Sequence, residues 1–175
     1  MARNSNQLRI ISGTFGGRLI DAPKTKATHP MGERERAAIF NQLREDIPGR
    51  RILDAFAGSG AIGLECLSLG AAHVDFMENH PKAMRTIQKN IKSLNIADQT
   101  GILRSPAGEY GIIIADPPYD NPQYELVFSL VKNLTPGGIF VLSHPENPQP
   151  PTHPYLELLS DKQYAAARIK IYRKI

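Results

Sequence analysis

From Arg51 to His144 the chain alternates short apolar runs with longer amphipathic ones, and this alternation constrains the fold more than any other feature. "RILDAFAG" reads as a strand, "AIGLECLSLG" as a helix ending at Gly70, and "HVDFME" as a second strand. "PKAMRTIQKNIKSLN" reads as a helix opened by Pro81, whose fixed φ suits a first helical position. "GILR" and "GIIIAD" follow as strands, "YELVFSLVKNL" as a helix and "GIFVLSHP" as a further strand. Strands joined through helices pair in parallel, because a parallel neighbour needs a crossover connection. The tail "YLELLSDKQYAAARIKIYRK" reads as two strands around a bend, which adds an antiparallel edge strand. The expectation is an α/β fold on a mostly parallel sheet.

Ahead of this core, "LRIISGTFGGRLIDAP" has two β-like runs around a Gly-rich bend and reads as a hairpin. "GERERAAIFNQLRED" places Ala37, Ile39, Phe40 and Leu43 between charges and reads as an amphipathic helix stopped near Pro48. At 175 residues the chain fits one domain, with residues 1–50 as a basic hairpin-and-helix appendage and 51–175 as the core. The proline-rich "HPENPQPPTHP" reads as an extended surface connection before the last two strands.

Composition excludes several classes. No run of about 18 apolar residues is present, and "MARNSNQLRI" lacks the apolar centre of a secretory signal. The single cysteine, Cys66, lies on an apolar helix face and reads as core packing with a free thiol, which suits a reducing, cytoplasmic compartment. Five histidines without ligand spacing argue against a metal site. Net charge is +4, yet residues 1–51 hold ten Lys/Arg against five Asp/Glu, while 52–175 hold eleven against twelve. The excess lies in the first third, the footprint of a polyanionic partner, with nucleic acid first. A monomer is expected.

In a doubly wound sheet, ligands bind beyond the carboxyl ends of the strands. Asp54, Glu78 and Asp116 fall at such ends and face one rim. The loop "DAFAGSGAIG" sets Gly58, Gly60 and Gly63 in G-x-G-x-x-G spacing, with Glu78 at the distance of a ribose-binding acid. That pattern alone would suit a dinucleotide. Asp54 would repel a pyrophosphate, however, and suits a ligand that carries an ammonium group. "DPPY" has no use in a dehydrogenase. A nucleoside with an amino-acid tail and no phosphate fits both features, which points to S-adenosyl-L-methionine.

Asp116, Pro117, Pro118 and Tyr119 form a stiff tip on an apolar strand, because consecutive prolines restrict φ and exclude helix. The tip resembles the motif of methyltransferases that modify an exocyclic amine on a base. The Asp116 carboxylate accepts an N–H of the target, the Pro117 carbonyl assists, and Tyr119 stacks on the base. Orientation of this kind can supply roughly 7–11 kcal/mol.

With those motifs in order, "LRIISGTFGGRLIDAP", "THPMGERERAAIFNQL", "ILDAFAGSGAIGLECLSLGAAHVDFME", "IIIADPPY" and "DKQYAAARIKIY" together resemble the bacterial small-subunit (16S) rRNA guanine-N2 methyltransferase family. The resemblance implies a Rossmann-like class I methyltransferase fold that acts on 16S rRNA or a small-subunit assembly intermediate. It implies that Asp54, Ala57, Gly58, Gly60, Asn79 and Phe40 line the cofactor, that Glu78 holds its ribose, and that Asp116 to Tyr119 form the catalytic loop. Arg9, Arg18, Arg34 and Arg36 are then the rRNA-facing cations. Two positions depart from the family pattern. His29 stands where arginine is usual, and "GILRSPAGEYG" offers Ser105 and no Asp after the third core strand, so adenine is expected to be held by backbone or more weakly. Two other readings remain open: a DNA adenine-N6 methyltransferase, against which the lack of a target-recognition insertion argues, and a non-catalytic RNA-binding or assembly protein on the same fold.

Overall fold

The computed structural model describes residues 6–24, 31–165 and 167–175. His29 lies outside the described residues. Strands β1 (Gln7–Arg9) and β2 (Leu19–Asp21) pair antiparallel as the expected hairpin, and α1 (Glu33–Leu43) follows. The core then runs β3 (Arg51–Ala55), α2 (Ala61–Ser68), β4 (His73–Met77), α3 (Pro81–Leu94), β5 (Thr100–Leu103), β6 (Tyr110–Ala115), α4 (Tyr124–Ser129), β7 (Leu134–His144), β8 (Leu156–Gln163) and β9 (Arg168–Lys174).

Seven strands form one sheet in the order β5-β4-β3-β6-β7-β9-β8. The first five are parallel. β9 pairs antiparallel with β7, and β8 closes the edge antiparallel to β9. Strand order reverses between β3 and β6, so this doubly wound, Rossmann-like sheet opens its ligand crevice there.

The apolar run in β6 follows from its central place, because both of its faces are covered. Ile112 and Ile114 join the cluster that packs under α1, α2, α3 and the hairpin, whereas Tyr110, Ile113 and Ala115 join the cluster under α4. All five are 0% exposed. The same parity carries into β3, where Ile52 faces one cluster and Leu53 and Ala55 the other.

α2 is buried along its whole length and lies between the sheet and the hairpin. Its polar residues meet the hairpin bend. Glu65 accepts hydrogen bonds from Ile11 N and Ser12 N, both at 2.8 Å, and from Ser12 Oγ at 3.0 Å. Ser68 Oγ accepts from Phe15 N at 2.9 Å and donates to the Ser12 carbonyl. Gly13 has φ +78°, and a Cβ there would stand 1.9 Å from the Ser68 carbonyl oxygen, so only glycine fits.

Two boundaries differ from the sequence reading. The helix expected over "YELVFSLVKNL" divides into six-residue α4 and a 3₁₀ turn, Leu130–Asn133. The tighter turn feeds directly into β7, and Lys174 Nζ donates to the Val131 and Leu134 carbonyls at 2.9 and 2.5 Å. β7 also begins at Leu134 rather than Gly138, across a register shift opposite Tyr110 and Ile112.

Residues 104–109 connect β5 to β6 with no helix between them. The sheet face left without a crossover helix carries Asp75. It accepts from Arg51 Nη2 at 2.7 Å and Tyr110 Oη at 2.9 Å, and contacts His73 Nε2 at 3.0 Å. A carboxylate in an otherwise apolar strand is tolerated there because three partners satisfy it.

Candidate functional site

The β3–α2 loop is built on unusual backbone positions. Phe56 has φ +62° while its ring packs against the α4-side core, and Gly58 and Gly60 take φ +57° and +79°. A non-glycine residue in the left-handed region costs on the order of 1–2 kcal/mol, so the reversal is forced by its surroundings. Ala57 N donates to the Met77 carbonyl at 3.0 Å, and Gly60 N to the Ala57 carbonyl at 2.7 Å. A Cβ on Gly63 would lie 2.4 Å from the Phe76 ring, so this glycine brings α2 down onto β4.

Glu78 follows β4 and reaches across to this loop. Its Oε2 accepts from Gly58 N at 2.8 Å, and its Oε1 accepts from Asn79 N and His80 N, both at 2.8 Å. The half-buried carboxylate is therefore fixed in direction, with exposed Asn79 beside it at the rim.

Asp54 sits beneath the loop rather than on its surface. It is 1% exposed, and its Oδ2 accepts from Gly63 N at 2.8 Å, which satisfies a donor in the first turn of α2. Burial pushes its carboxyl well above the usual range, and nearby Asp116 and Glu78 push the same way. Oδ1 is buried without a partner among the described residues. Asn90, which sequence reasoning passed over, ties the floor together: its Nδ2 donates to the Ser59 and Asp21 carbonyls at 3.0 and 2.9 Å, and its Oδ1 accepts from Asp21 N at 2.9 Å. A lone asparagine on an amphipathic helix carries no sequence signal for that role.

The D-P-P-Y tip leaves β6 beside the glycine loop. Ala55 and Ala115 are paired, and Asp116 N points at the Ala55 carbonyl from 3.4 Å. Asp116 is half-buried, Pro117 buried and Pro118 exposed. Desolvation raises the Asp116 carboxyl to about 6, and a hydrogen bond from Ser143 partly opposes the rise. Ser143, at the end of β7 and 0% exposed, also lies 2.5 Å from the Tyr119 hydroxyl. Burial and the neighbouring Asp116 charge drive the Tyr119 phenol far up, so it stays protonated. Ser143 thus braces both the acid and the ring of the tip.

The rim therefore gathers Ala57, Gly58, Gly60, Glu78, Asn79 and Asp116 to Tyr119, with Asp54 below them. Two residues assigned to the site turn inward instead. Phe40 is 3% exposed and packs in the core, so it supplies volume and no open ligand wall. Arg36, expected to face rRNA, is 1% exposed. Its Nη2 donates to the Arg9 carbonyl at 3.0 Å, and its Nη1 stands 3.9 Å from Glu65. Helical phase turns it toward the bend end of the hairpin, where it neutralises Glu65. Arg9, Arg18 and Arg34 are exposed.

The family model described as "Conserved hypothetical protein 95" matches residues 8–173. The chain is 28% identical over 181 residues to the Escherichia coli protein named Ribosomal RNA small subunit methyltransferase D, an alignment covering 97% of this chain and 91% of that one. It superposes on the solved structure of yhhF from Escherichia coli with a TM-score of 0.85 and 28% identity, over 96% of this chain and 98% of the other. The fold is also that of a Thermus thermophilus 16S rRNA N2 G1207 methyltransferase solved with AdoMet and guanosine: TM-score 0.72 and 18% identity, over all of this chain and 52% of that one.

Proposed function

Because this chain belongs to the family described as Conserved hypothetical protein 95, matched over residues 8–173, we propose that it is an S-adenosyl-L-methionine-dependent rRNA methyltransferase acting on the exocyclic N2 amine of a guanine in small-subunit rRNA. One observation carries the reading: the D-P-P-Y tip and the glycine loop emerge side by side from paired strands β6 and β3, at the point where strand order reverses.

The residues fit the cofactor. Positive φ at Gly58 and Gly60 turns the loop tightly beside Glu78, which supports a nucleoside lying against the loop. Glu78 is held ready to accept from ribose hydroxyls, and the unpartnered Asp54 Oδ1 is an acceptor near the loop that an ammonium group would complement. S-adenosyl-L-methionine, when bound, supplies an activated methyl group. The chain's own part is to position the acceptor. Asp116, ionised above pH 6, accepts an N–H from the amine, with the Pro117 carbonyl as second acceptor. These bonds favour the pyramidal amine whose lone pair can attack. Tyr119, braced by Ser143, offers its ring to the base.

The test is incubation of the protein with labelled S-adenosyl-L-methionine and either small-subunit rRNA or assembling subunits, followed by nucleoside mass spectrometry. N2-methylguanine is the expected product. N6-methyladenine formed on DNA would replace this reading with the adenine alternative, and cofactor and RNA binding without turnover would leave an assembly protein.

A further inference from the structure

The N-terminal third is not the whole of the basic surface. α3 carries Lys82, Arg85, Lys89 and Lys92, spaced i, i+3, i+7 and i+10, and no acidic residue among its fourteen. That spacing places all four on one side of the helix. All are exposed, while the opposite side buries Ala83, Ile87, Asn90, Ile91 and Leu94. The stripe starts four residues after Glu78, at the ligand rim, and extends about 15 Å along the helix.

The stripe does nothing for the helix itself. Like charges at these spacings repel by a few tenths of a kcal/mol per pair, and Lys82 in the first turn opposes the helix dipole, which only Lys92 in the last turn favours. Among the described residues, one of the four has an ion-pair partner: Lys89 Nζ pairs with Asp21 of β2. Arg18, next to the bend of the same hairpin, donates to the Ser93 carbonyl at 3.0 Å, so hairpin and helix present their cations as one surface. Between them lies a hollow of about 400 Å³ walled by Gln7, Asp21, Lys24, Arg85, Thr86 and Lys89.

We propose that the α3 stripe, continuous with Arg18 and Lys24, is a phosphate track along which an rRNA strand leaves the catalytic rim. The proposal rests on the rRNA reading above and extends it to residues far in sequence from the N-terminal basic cluster. Charge complementarity selects the occupant, since a row of exposed cations beside a polar hollow suits a phosphodiester backbone.

The experiment compares the full chain with a Lys82→Gln, Arg85→Gln, Lys92→Gln triple variant; Lys89 is kept for its contact with Asp21. Glutamine preserves helix propensity, so the helix should be retained. Binding to a small-subunit rRNA fragment is measured across a salt series, with S-adenosyl-L-methionine affinity and thermal unfolding in parallel. The expected result is a salt slope reduced by about 2 to 3, a raised KM for rRNA, and unchanged kcat and cofactor affinity. A Lys82→Arg, Lys92→Arg variant should keep the native slope. An unaltered slope in the triple variant, with wild-type protein methylating rRNA normally, would overturn the track alone. A wild-type protein that methylates no rRNA would remove the functional reading, and the track with it. Native binding to naked rRNA but weakened binding to the protein-bound subunit would assign the stripe to a ribosomal protein and overturn the phosphate reading.

Discussion

Asp116 faces opposing demands. The proposed chemistry needs its carboxylate, while desolvation at the strand tip favours the neutral acid and lifts its pKa to about 6. Methyl transfer should therefore be full above that value and fall as pH drops through it, as a pH–rate profile of kcat/KM would report. Ser143→Ala removes a hydrogen bond that favours the ionised form, so the acid limb should move to higher pH, an effect that simple loosening of the loop would not produce. The same shift sets a stability cost. The folded pKa lies above the unfolded one, so the cost is fully present at neutral pH and fades as pH falls through about 6 toward the ordinary carboxylate range. Asp116→Asn should abolish turnover by at least about 100-fold, leave cofactor affinity in calorimetry largely intact, and raise stability at pH 7 by roughly 1–3 kcal/mol. Retained activity in the Asp116→Asn variant would take this residue out of the mechanism.

At the scale of elements, α2 decides whether the site has a floor. Gly63→Ala would gain about 1 kcal/mol of helix propensity. Its new Cβ, however, would lie 2.4 Å from the Phe76 ring and 2.8 Å from Val74. Overpacking of this kind costs roughly 1–3 kcal/mol or more, so denaturant unfolding should find the variant less stable. On the other side of α2, Glu65 holds the hairpin bend through two backbone N–H groups and Ser12 Oγ, opposite buried Arg36. Removing one member of a buried pair leaves the other uncompensated, at about 3–5 kcal/mol. Glu65→Ala should accordingly lower global stability and release the Ile11 and Ser12 amides to faster hydrogen exchange. Arg36→Met should also destabilise, yet leave the salt slope of rRNA binding unchanged, whereas exposed Arg34→Glu should weaken rRNA binding without touching the cofactor.

For the whole molecule, short-range pattern and long-range contact contributed separately. Strand–helix alternation, the Gly-rich bend of the hairpin, Pro81 at the first position of α3 and the all-apolar stretch of β6 are local signals, because periodicity and backbone restriction act within a few residues. They sufficed for the sheet class and for bringing Gly58, Glu78 and Asp116 to strand ends. What local pattern could not settle was direction and partner. Arg34 and Arg36 are equally basic in sequence, but helical phase and the position of Glu65 leave one in solvent and the other in the core. Asp54 reads as an open rim acid, whereas the approach of α2 buries it beneath the loop, with one oxygen taken by Gly63 and the other left unpartnered among the described residues. Ser143, Glu65 and Asn90 belong to no motif, since each acts on a segment more than twenty residues away in the chain. The four cations of α3 are visible in sequence, yet only the docking of the hairpin along that helix makes them one surface with Arg18 and Lys24. Residue type and spacing thus determined which elements form and which chemistry they can offer. Packing of distant segments decided which side chains are free to offer it, because burial and pairing are set by neighbours in space.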